Sequence, residues 1–290
     1  MKKERTGTRV KRAGKSFAAL LVAVIVCMPV VIVVLGSLKS GNELSDSLRP
    51  VFSDGSTDTY IRWKLLALYP TLRHYIRLFI WTPDFFVVFW NSVKIVACIL
   101  AGQLLIAVPA AWAFAAFTWK RKRLVFTLYV VLMLLPFQVT MLPSYLVMNR
   151  LHLFNTHAAV ILPAVFSTFP VFMVYRGFTA IPKELLDAAR VEGAGEAAVF
   201  WEIGIPLGSP GILSAAVLGF LDYWNMIEQP LAFLKEKTLW PLSLYLPQVQ
   251  AGHAGISLAA CVTALVPAAL VFLLGQDYLE QGITAAGLKA

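Results

Sequence analysis

The segment WNSVKIVACILAGQLLIAVPAAWAFAAF, residues 90–117, decides the fold class of this chain. Lys94, near one end, is its only charged residue. A helix rises about 1.5 Å per residue, so about 20 mostly apolar residues cross the hydrocarbon core of a bilayer. The apolar residues are continuous rather than alternating, and the segment therefore predicts a membrane-spanning α-helix rather than a strand.

The rest of the chain repeats this pattern. Hydrophobic residues make up 59% of the 290 residues and charged residues 14%, against roughly 45–50% and 25% in soluble domains. This composition argues against a soluble enzyme, a disordered chain and a disulfide scaffold. We predict an all-α membrane protein with six transmembrane helices. They are expected within residues 17–38, 90–117, 124–149, 158–175, 208–233 and 255–275.

Lysine and arginine predict which side of the membrane the loops occupy. Seven of them lie within residues 1–16, and four follow one another at 120–123. With six helices both clusters fall on one side, and cytoplasmic loops carry an excess of these residues. Both termini are therefore expected in the cytoplasm, and the net charge of +9 is expected to serve topology rather than nucleic-acid binding.

This orientation predicts the order of regions along the chain. The first apolar run is longer than the roughly 7–15 residue core of a signal peptide, so we expect an uncleaved span. The regions are a cytoplasmic basic tail (1–16), a first transmembrane helix (17–38), an extracytoplasmic loop (39–87), a transmembrane core (88–280) with a cytoplasmic loop at 181–206, and a cytoplasmic C-terminal tail (281–290).

The cytoplasmic loop IPKELLDAARVEGAGEAAVFWEIGIP, residues 181–206, is too polar to span and too regular to be irregular coil. Pro182 is placed where a helix can begin, because the first turn needs no proline N–H. Glu184 and Asp187 favour the positive end of the helix dipole. Gly193 suits a left-handed helix end. The loop is therefore predicted to carry a helix from about Pro182 to Gly193.

A second short helix is expected from about residue 196 to 204, broken by Pro206 and Pro210 before the fifth span. The loop holds five carboxylates and two cations up to Glu202, a balance that argues against binding anionic lipid. The residues alone predict contact with a partner protein. A surface helix lying at the headgroup boundary is the alternative.

Nine residues of this loop carry a specific resemblance. They are Pro182, Glu184, Leu185, Asp187, Ala188, Ala189, Glu192, Gly193 and Ala194. In this order they resemble the EAA loop of ABC-importer permeases, Pro-x-Glu-Leu-x-Glu-Ala-Ala followed by Asp-Gly-Ala and a downstream proline. Two positions exchange one acid for the other. The resemblance implies that an ATPase docks here, through Glu184, Leu185, Asp187, Ala188, Ala189, Glu192 and Gly193.

Motifs outside the loop narrow the resemblance. They are Pro70-Thr71-Leu72 with Tyr75, Asn91-Ser92, Trp224-Asn225 with Pro230, and Gln276-x-Tyr278 with Gln281-Gly282-Ile283-Thr284. Together they resemble the carbohydrate-importer branch, permeases similar to the second maltose permease subunit. The last five residues, Ala-Gly-Leu-Lys-Ala, depart from the Gly-Ala-Val-Lys-Gly ending usual in that branch.

This resemblance implies a type I ABC importer permease fold in a bacterial cell membrane. The implied partners are ABC ATPase subunits, a second homologous permease subunit and an extracytoplasmic solute-binding protein. The implied solute is a sugar or oligosaccharide, moved by alternating access. A stand-alone channel or secondary carrier with a regulatory cytoplasmic loop is the alternative reading of the residues themselves.

Motifs for catalysis and cofactors are missing from the sequence. It contains no GxxxxGK[ST], HExxH, CxxC or GxSxG, patterns that bind phosphates, metals or carry a nucleophile. The histidines are scattered, at His74, His152, His157 and His253. We therefore expect no enzymatic activity, no metal site and no cofactor in this chain, with ATP hydrolysis on partner subunits.

Four residues within the predicted spans are candidates for a solute path: Gln103, Gln138, Trp224 and Asn225. Amides can replace water on sugar hydroxyls, and an aromatic face can stack on a sugar ring. Each has a structural alternative, since polar groups also join helices and tryptophan anchors them at the interface. Asp222 is read as an interhelical or pore-facing carboxylate, and the few intramembrane charges argue against a proton relay.

Overall fold

A computed structural model of the chain describes residues 2–52, 66–245 and 254–287, and every regular element within them is helical. The predicted end of the C-terminal tail, residues 288–290, and His253 lie outside the described residues. The helices are α1 (Lys2–Ser37), α2 (Gly41–Phe52), α3 (Arg73–Trp81), α4 (Pro83–Ala116), α5 (Lys122–Met133), α6 (Phe137–Arg150), α7 (His157–Val165), α8 (Phe169–Thr179), α9 (Lys183–Val191), α10 (Glu196–Ala198), α11 (Ile205–Trp224), α12 (Glu228–Phe233), α13 (Leu242–Tyr245) and α14 (Ala254–Gly287).

Within the described part of the chain, five helical segments are long and apolar enough to cross a membrane. A sixth is counted if α5 and α6 form one bent span. This confirms the predicted all-α membrane fold, while the cytoplasmic placement of the termini stays a prediction. The five segments are Lys15–Ser37, Pro83–Ala116, His157–Thr179, Glu196–Trp224 and Ala254–Gln281.

The third predicted span, within residues 124–149, is a bent pair rather than one straight helix. α5 and α6 meet at an angle of 99°. Pro136 separates them with an extended backbone, φ −66° and ψ 149°. A proline disfavours helical geometry at the preceding residue, which explains why α5 ends before Pro136. The chain therefore turns sharply inside its third apolar segment.

The predicted break between the loop and the fifth span was wrong. A π-helical turn, Val199–Gly204, joins α10 directly to α11. Pro206 lies immediately after the π-helical turn, in the first turn of α11. Pro210 removes the usual donor to the Pro206 carbonyl, and the Ser209 hydroxyl donates to that carbonyl instead at 2.8 Å. Neither proline therefore ends the helix.

The predicted end of this span at residue 233 was also wrong. α11 ends at Trp224, and α12 follows as a separate short helix. The Asn225 side-chain Nδ2 donates to the Leu221 carbonyl at 2.8 Å. Asparagine side chains compete with backbone donors in this way and favour helix ends. The segment between α11 and α12 is thus an irregular link within an apolar sequence.

The chain divides into two compact units, residues 1–83 with 248–264, and residues 84–247 with 265–290. In the first unit, His74 is buried and its Nε2 hydrogen-bonds the Lys39 carbonyl at 3.0 Å. Ser37 and Tyr75 share a hydrogen bond of 2.7 Å between their hydroxyls. The predicted extracytoplasmic loop, 39–87, is therefore largely helical and tied to the end of α1 where it is described.

The second unit is centred on α8 and α11, which approach each other through glycine. A Cβ added at Gly211 would lie 2.7 Å from the Gly177 Cα, and one added at Gly177 would lie 2.9 Å from the Gly211 Cα. Small residues allow such close helix contacts in membranes, where dispersion forces drive association. α8 and α11 are therefore closely packed at the centre of this unit.

Candidate functional site

α9 begins and ends as the sequence predicts. Pro182 precedes it with φ −57° and ψ 131°. Gly193 takes φ 91° just beyond its end, which confirms the predicted left-handed conformation. The Ala194 N–H donates to the Ala189 carbonyl at 3.0 Å, and the Gly193 N–H donates to the Arg190 carbonyl at 3.1 Å. These two bonds form a Schellman motif, which satisfies carbonyls that the helix end would leave unpaired.

One face of α9 is anchored in the core of the second unit. Leu186, at 8% exposure, and Ile181, at 7%, belong to a buried cluster with Trp112, Phe178 and Val199. Leu185 was predicted as a docking residue, whereas Leu186 was not predicted to have a role. Helical spacing alone did not distinguish the two leucines, because Leu185 with Ala188 and Leu186 with Ala189 are equally spaced Leu–Ala pairs.

The indole of Trp112 connects the surroundings of this helix. Its ring lies 5.2 Å from that of Phe178 on α8 and 5.5 Å from that of Phe200 in the π-helical turn. A Cβ at Gly204 would lie 2.6 Å from the Trp112 ring. α4, α8 and the π-helical turn therefore meet at one side chain, directly beneath α9.

The opposite face of α9 is exposed and partly apolar. Leu185 is 49% exposed and Val191 is 89% exposed. Of the seven residues predicted to dock an ATPase, six are exposed and Ala189 is half-buried against the core. The six are Glu184, Leu185, Asp187, Ala188, Glu192 and Gly193. Val191 was not predicted, although it is the most exposed apolar side chain of the helix.

Arg190 joins α9 to α10. Its Nε donates to Glu196 Oε1 at 2.8 Å, and its Nη1 donates to Asp187 Oδ1 at 3.0 Å. The hydrogen bond to Glu196 raises the pKa of the Arg190 guanidinium, as does the bond to Asp187. Both pairs are solvent-accessible, so each contributes roughly 0–1 kcal/mol to stability. Among the described residues, Glu184 and Glu192 make no ion pair.

Two of the four predicted solute-path residues are committed to packing. Gln103 is buried, and its Nε2 donates to the Ala164 carbonyl at 2.7 Å and to the Tyr223 hydroxyl at 2.8 Å. Trp224 is buried and stacks on Phe220, with ring centroids 5.3 Å apart. Gln103 therefore joins α4, α7 and α11, and Trp224 packs along α11.

The other two predicted path residues are exposed. Gln138 on α6 donates from Nε2 to both carboxylate oxygens of Glu228, at 3.1 and 3.2 Å. Asn225 lines a cavity of about 670 Å³, bounded by α5, α6 and the α7–α8 and α11–α12 junctions. Gln138 and Trp224 line neither this cavity nor the adjoining one of about 340 Å³, to which Gln103 contributes.

Polar groups that the sequence analysis did not single out also line the larger cavity. Ser167 and Thr168 lie in the break between α7 and α8, and Asp222 and Tyr223 lie in the last turn of α11. Ser167, Asp222 and Tyr223 line the smaller cavity as well. Pro170 in the first turn of α8 was the available signal for this break, since a helix often starts at proline.

Comparison with known proteins identifies the class of molecule. Residues 103–285 match the family described as "Binding-protein-dependent transport system inner membrane component". The arabinooligosaccharides transport system permease protein AraQ of Halalkalibacterium halodurans is 31% identical over 271 residues, which cover 92% of this chain and 93% of the relative. The lactose transport system permease protein LacG of Rhizobium radiobacter is 32% identical over 199 residues, 68% of this chain and 73% of the relative.

A solved structure shares the fold. The crystal structure of a bacterial ABC transporter involved in the import of the acidic polysaccharide alginate contains a chain with a TM-score of 0.77. The match covers 93% of this chain and 96% of that chain at 20% identity. The chain described here belongs to the family of binding-protein-dependent transport system inner membrane components. Its predicted class, a multi-pass membrane permease of the ABC importer type, is confirmed.

Proposed function

We propose that this chain and a second homologous permease form the translocation path of an ABC importer, and that separate ATPase subunits dock on the exposed face of α9. The observation that carries the proposal is the two-sided construction of α9. Leu186 anchors one face in the core, while Leu185, Ala188 and Val191 expose apolar surface on the other. Exposed apolar surface on an otherwise anchored helix favours a protein partner.

The connections of α9 support a mechanical role. α8 runs from the cavity at Phe169 to the loop that precedes α9. α11 runs from the π-helical turn after α9 back to the cavity at Asp222. Both helices touch through Gly177 and Gly211. A displacement of α9 by an ATPase would therefore reach the cavity through two helices that move as one body.

Coupling requires that docking differ between ATPase states. A partner that bound both permease conformations equally would shift neither. The charges on α9 suit such a state-dependent contact, because Glu184 and Glu192 are exposed and make no ion pair among the described residues. Cations on a docked ATPase would pair with them in one state and separate in the other.

The solute is proposed to be a sugar or oligosaccharide, delivered by an extracytoplasmic solute-binding protein. The relatives described above, transport system permeases for arabinooligosaccharides and for lactose, support this class. A further structural neighbour, with a TM-score of 0.60, is in complex with an alginate pentasaccharide-bound periplasmic protein. Hydroxyl, amide and aromatic side chains line the cavity here, a mixture that suits polyhydroxylated solutes.

The membrane orientation is part of the same proposal. The basic residues at 2–15 and 120–123 support a cytoplasmic location for both termini and for α9, on the side where ATP is available. A cysteine at Gly195, which is exposed, should then react with impermeant reagents only from the cytoplasmic side of oriented vesicles. Labelling from outside alone would contradict the orientation.

The deciding experiment compares two tryptophan variants in the purified membrane complex. Ala188→Trp places bulk on the exposed face of α9, and Ala197→Trp places it on α10, where the side chain is also exposed. Ala188→Trp should reduce co-purification of a Walker-motif ATPase and uncouple ATP hydrolysis from uptake, while Ala197→Trp should retain most of both. A wild-type chain that purifies as a homo-oligomer without ATPase would overturn the proposal and favour a stand-alone channel or carrier.

A further inference from the structure

The larger cavity carries negative charge without a compensating cation. Asp222 and Glu228 both line it. No lysine, arginine or histidine is among its lining residues in the part of the chain that the structure describes. Asp222 lines the smaller cavity too, which also has no cationic lining residue among the described positions. Any group that enters either space therefore meets the field of a carboxylate.

The amide side chains around the cavities turn donors toward the protein. Asn225 donates from Nδ2 to the Leu221 carbonyl at 2.8 Å, and Gln229 donates from Nε2 to the Val160 carbonyl at 3.3 Å. Gln103 uses its Nε2 for Ala164 and Tyr223. Gln229 is 92% buried, and within the described residues its Oε1 accepts no hydrogen bond. The carboxylate and amide oxygens at the cavity are therefore available as acceptors, beside hydroxyls such as those of Ser144 and Thr168.

The two carboxylates have different roles. Glu228 accepts both hydrogen bonds from Gln138 and so links α12 to α6. Asp222 is exposed at the cavity and makes no hydrogen bond or ion pair among the described residues. A carboxylate whose role was to join helices would be expected to have a partner. Asp222 is therefore the group whose charge is available to a solute.

We infer that this cavity accepts an uncharged or cationic, hydroxyl-rich part of the solute and rejects carboxylated, phosphorylated or sulfonated sugars, with Asp222 as the specificity-determining charge. Carboxylate and amide oxygens suit solute hydroxyl donors, whereas an anion entering the cavity would lose water and gain no counter-charge from the described residues of this chain that line it. The inference rests on the proposed function, since it takes the cavity to be part of the solute path. The fold is shared with an importer of an acidic polysaccharide, but the lining charges here favour the opposite class of solute.

The field of the cavity can be measured without knowing the solute. In the full complex, reconstituted in nanodiscs, Cys27, Cys98 and Cys261 are replaced by serine and Ser144→Cys is introduced in the cavity wall. The thiol is modified with cationic, neutral and anionic methanethiosulfonates, and the rates are normalised to those of a small free thiol. Thr168→Cys provides a second position in the same wall, should the first variant fail to assemble.

The expected preference for the cationic reagent is about threefold to tenfold, the size of a single-charge effect at 5–10 Å in an aqueous cavity. Asp222→Asn should bring the ratio of the cationic to the anionic modification rate closer to one. Asp46→Asn, an equally conservative change at an exposed carboxylate that does not line the cavity, should leave it unchanged. Equal rates for both reagents in the wild-type background, or an unchanged preference in Asp222→Asn, would overturn the inference.

Protection experiments connect the field to the solute. A panel of neutral disaccharides (maltose, lactose, xylobiose and arabinobiose) is compared with the matching uronic-acid disaccharides. At least one neutral sugar should slow modification of Ser144→Cys, and no acidic one should. If no neutral sugar protects although the ATPase co-purifies, the inference fails while the proposed function stands. If the ATPase does not co-purify, the proposed function itself fails.

Discussion

The exposed face of α9 and the larger cavity are built in opposite ways. The face of α9 comes from nine consecutive residues, Lys183–Val191, and the Schellman turn after them. The cavity is lined by residues from Leu132 to Gln229, contributed by separate helices and the breaks between them. A surface made by one helix follows from local sequence rules, whereas a concave site exists only after distant segments have packed together.

This contrast predicts different responses to mutation. Side chains on the exposed face of α9 can change without disturbing the core, and their effects should be confined to partner binding. α8 and α11 serve both regions, because each runs from the loop to the cavity wall. Substitutions between these two helices should therefore destroy both functions together, and they give the largest effect.

Gly211→Leu is expected to prevent assembly of a functional permease. Its Cβ would lie 2.7 Å from the Gly177 Cα, and backbone cannot rotate away as a side chain can. Overpacking of this kind costs about 3 kcal/mol or more when the neighbour cannot relax. The measurement is the yield and apparent Tm of the detergent-purified complex. Gly195→Leu is the matched control, because no atom lies within 4 Å of a Cβ at Gly195 and its φ of −70° suits any residue. Equal yields for both variants would contradict the close α8–α11 contact.

Leu186→Ala should affect α9 and its docking function separately from the cavity. It removes the buried anchor of α9 and is expected to cost about 2–3 kcal/mol, as large-to-small core changes do. The loss should appear as a lower apparent Tm and a weaker ATPase association. Leu185→Ala, one residue away on the exposed face, should weaken the association with a change of less than about 0.5 kcal/mol in stability. A larger stability loss for Leu185→Ala than for Leu186→Ala would reverse the assignment of the two faces.

The sequence was sufficient for features that depend on neighbours along the chain. Pro182 and Gly193 predicted the limits of α9 correctly, because each acts through its own backbone. Leu185 and Leu186 are chemically identical, and only the positions of Trp112 and Phe178, which come from distant helices, decide which of them is buried.

The effect of a proline on a helix is also not predictable from the local sequence alone. Pro136 separates two helices at 99°, yet six other prolines lie inside helices of the described chain. Whether a proline breaks a helix depends on what replaces its missing hydrogen bond, as the Ser209 hydroxyl does near Pro210. The cavity forms at breaks between helices, such as the α5–α6 bend and the α7–α8 junction. Since the sequence does not show which prolines break a helix, the cavity could not be predicted. The six prolines inside helices are Pro29, Pro109, Pro143, Pro163, Pro210 and Pro267.

Gly193→Ala tests the backbone strain at the end of α9 without adding a steric clash. No atom lies within 4 Å of a Cβ at Gly193, so the substitution creates no clash. The φ of 91° remains unfavourable for a residue with a Cβ, at a cost of about 1–2 kcal/mol. The helix end should loosen, which lowers the ratio of uptake to ATP hydrolysis in proteoliposomes. Gly195→Ala, with a negative φ, should behave as wild type. Wild-type coupling in Gly193→Ala would mean that the Schellman turn is not needed for force transmission.

Asn225→Ala is expected to have the smallest effect on stability and to act on the cavity alone. Its side chain is exposed and, among the described residues, hydrogen-bonds only the Leu221 carbonyl of the preceding helix, so the stability change should be below about 0.5 kcal/mol. Uptake should nevertheless fall, because the amide lines the cavity. The assay is ATP-driven uptake in proteoliposomes of the sugar that co-purifies with the partner solute-binding protein.

The matched control for this change is Asn149→Ala, which removes an exposed amide that does not line the cavity and should leave uptake unchanged. Gln138→Ala tests the second predicted path residue, which contacts Glu228 rather than the cavity, and should reduce uptake less than Asn225→Ala does. If Asn225→Ala retains wild-type uptake while Gln138→Ala does not, the solute passes along α6 rather than through the cavity. Assembly with the ATPase should be normal in all three variants, because the exposed face of α9 is intact in each.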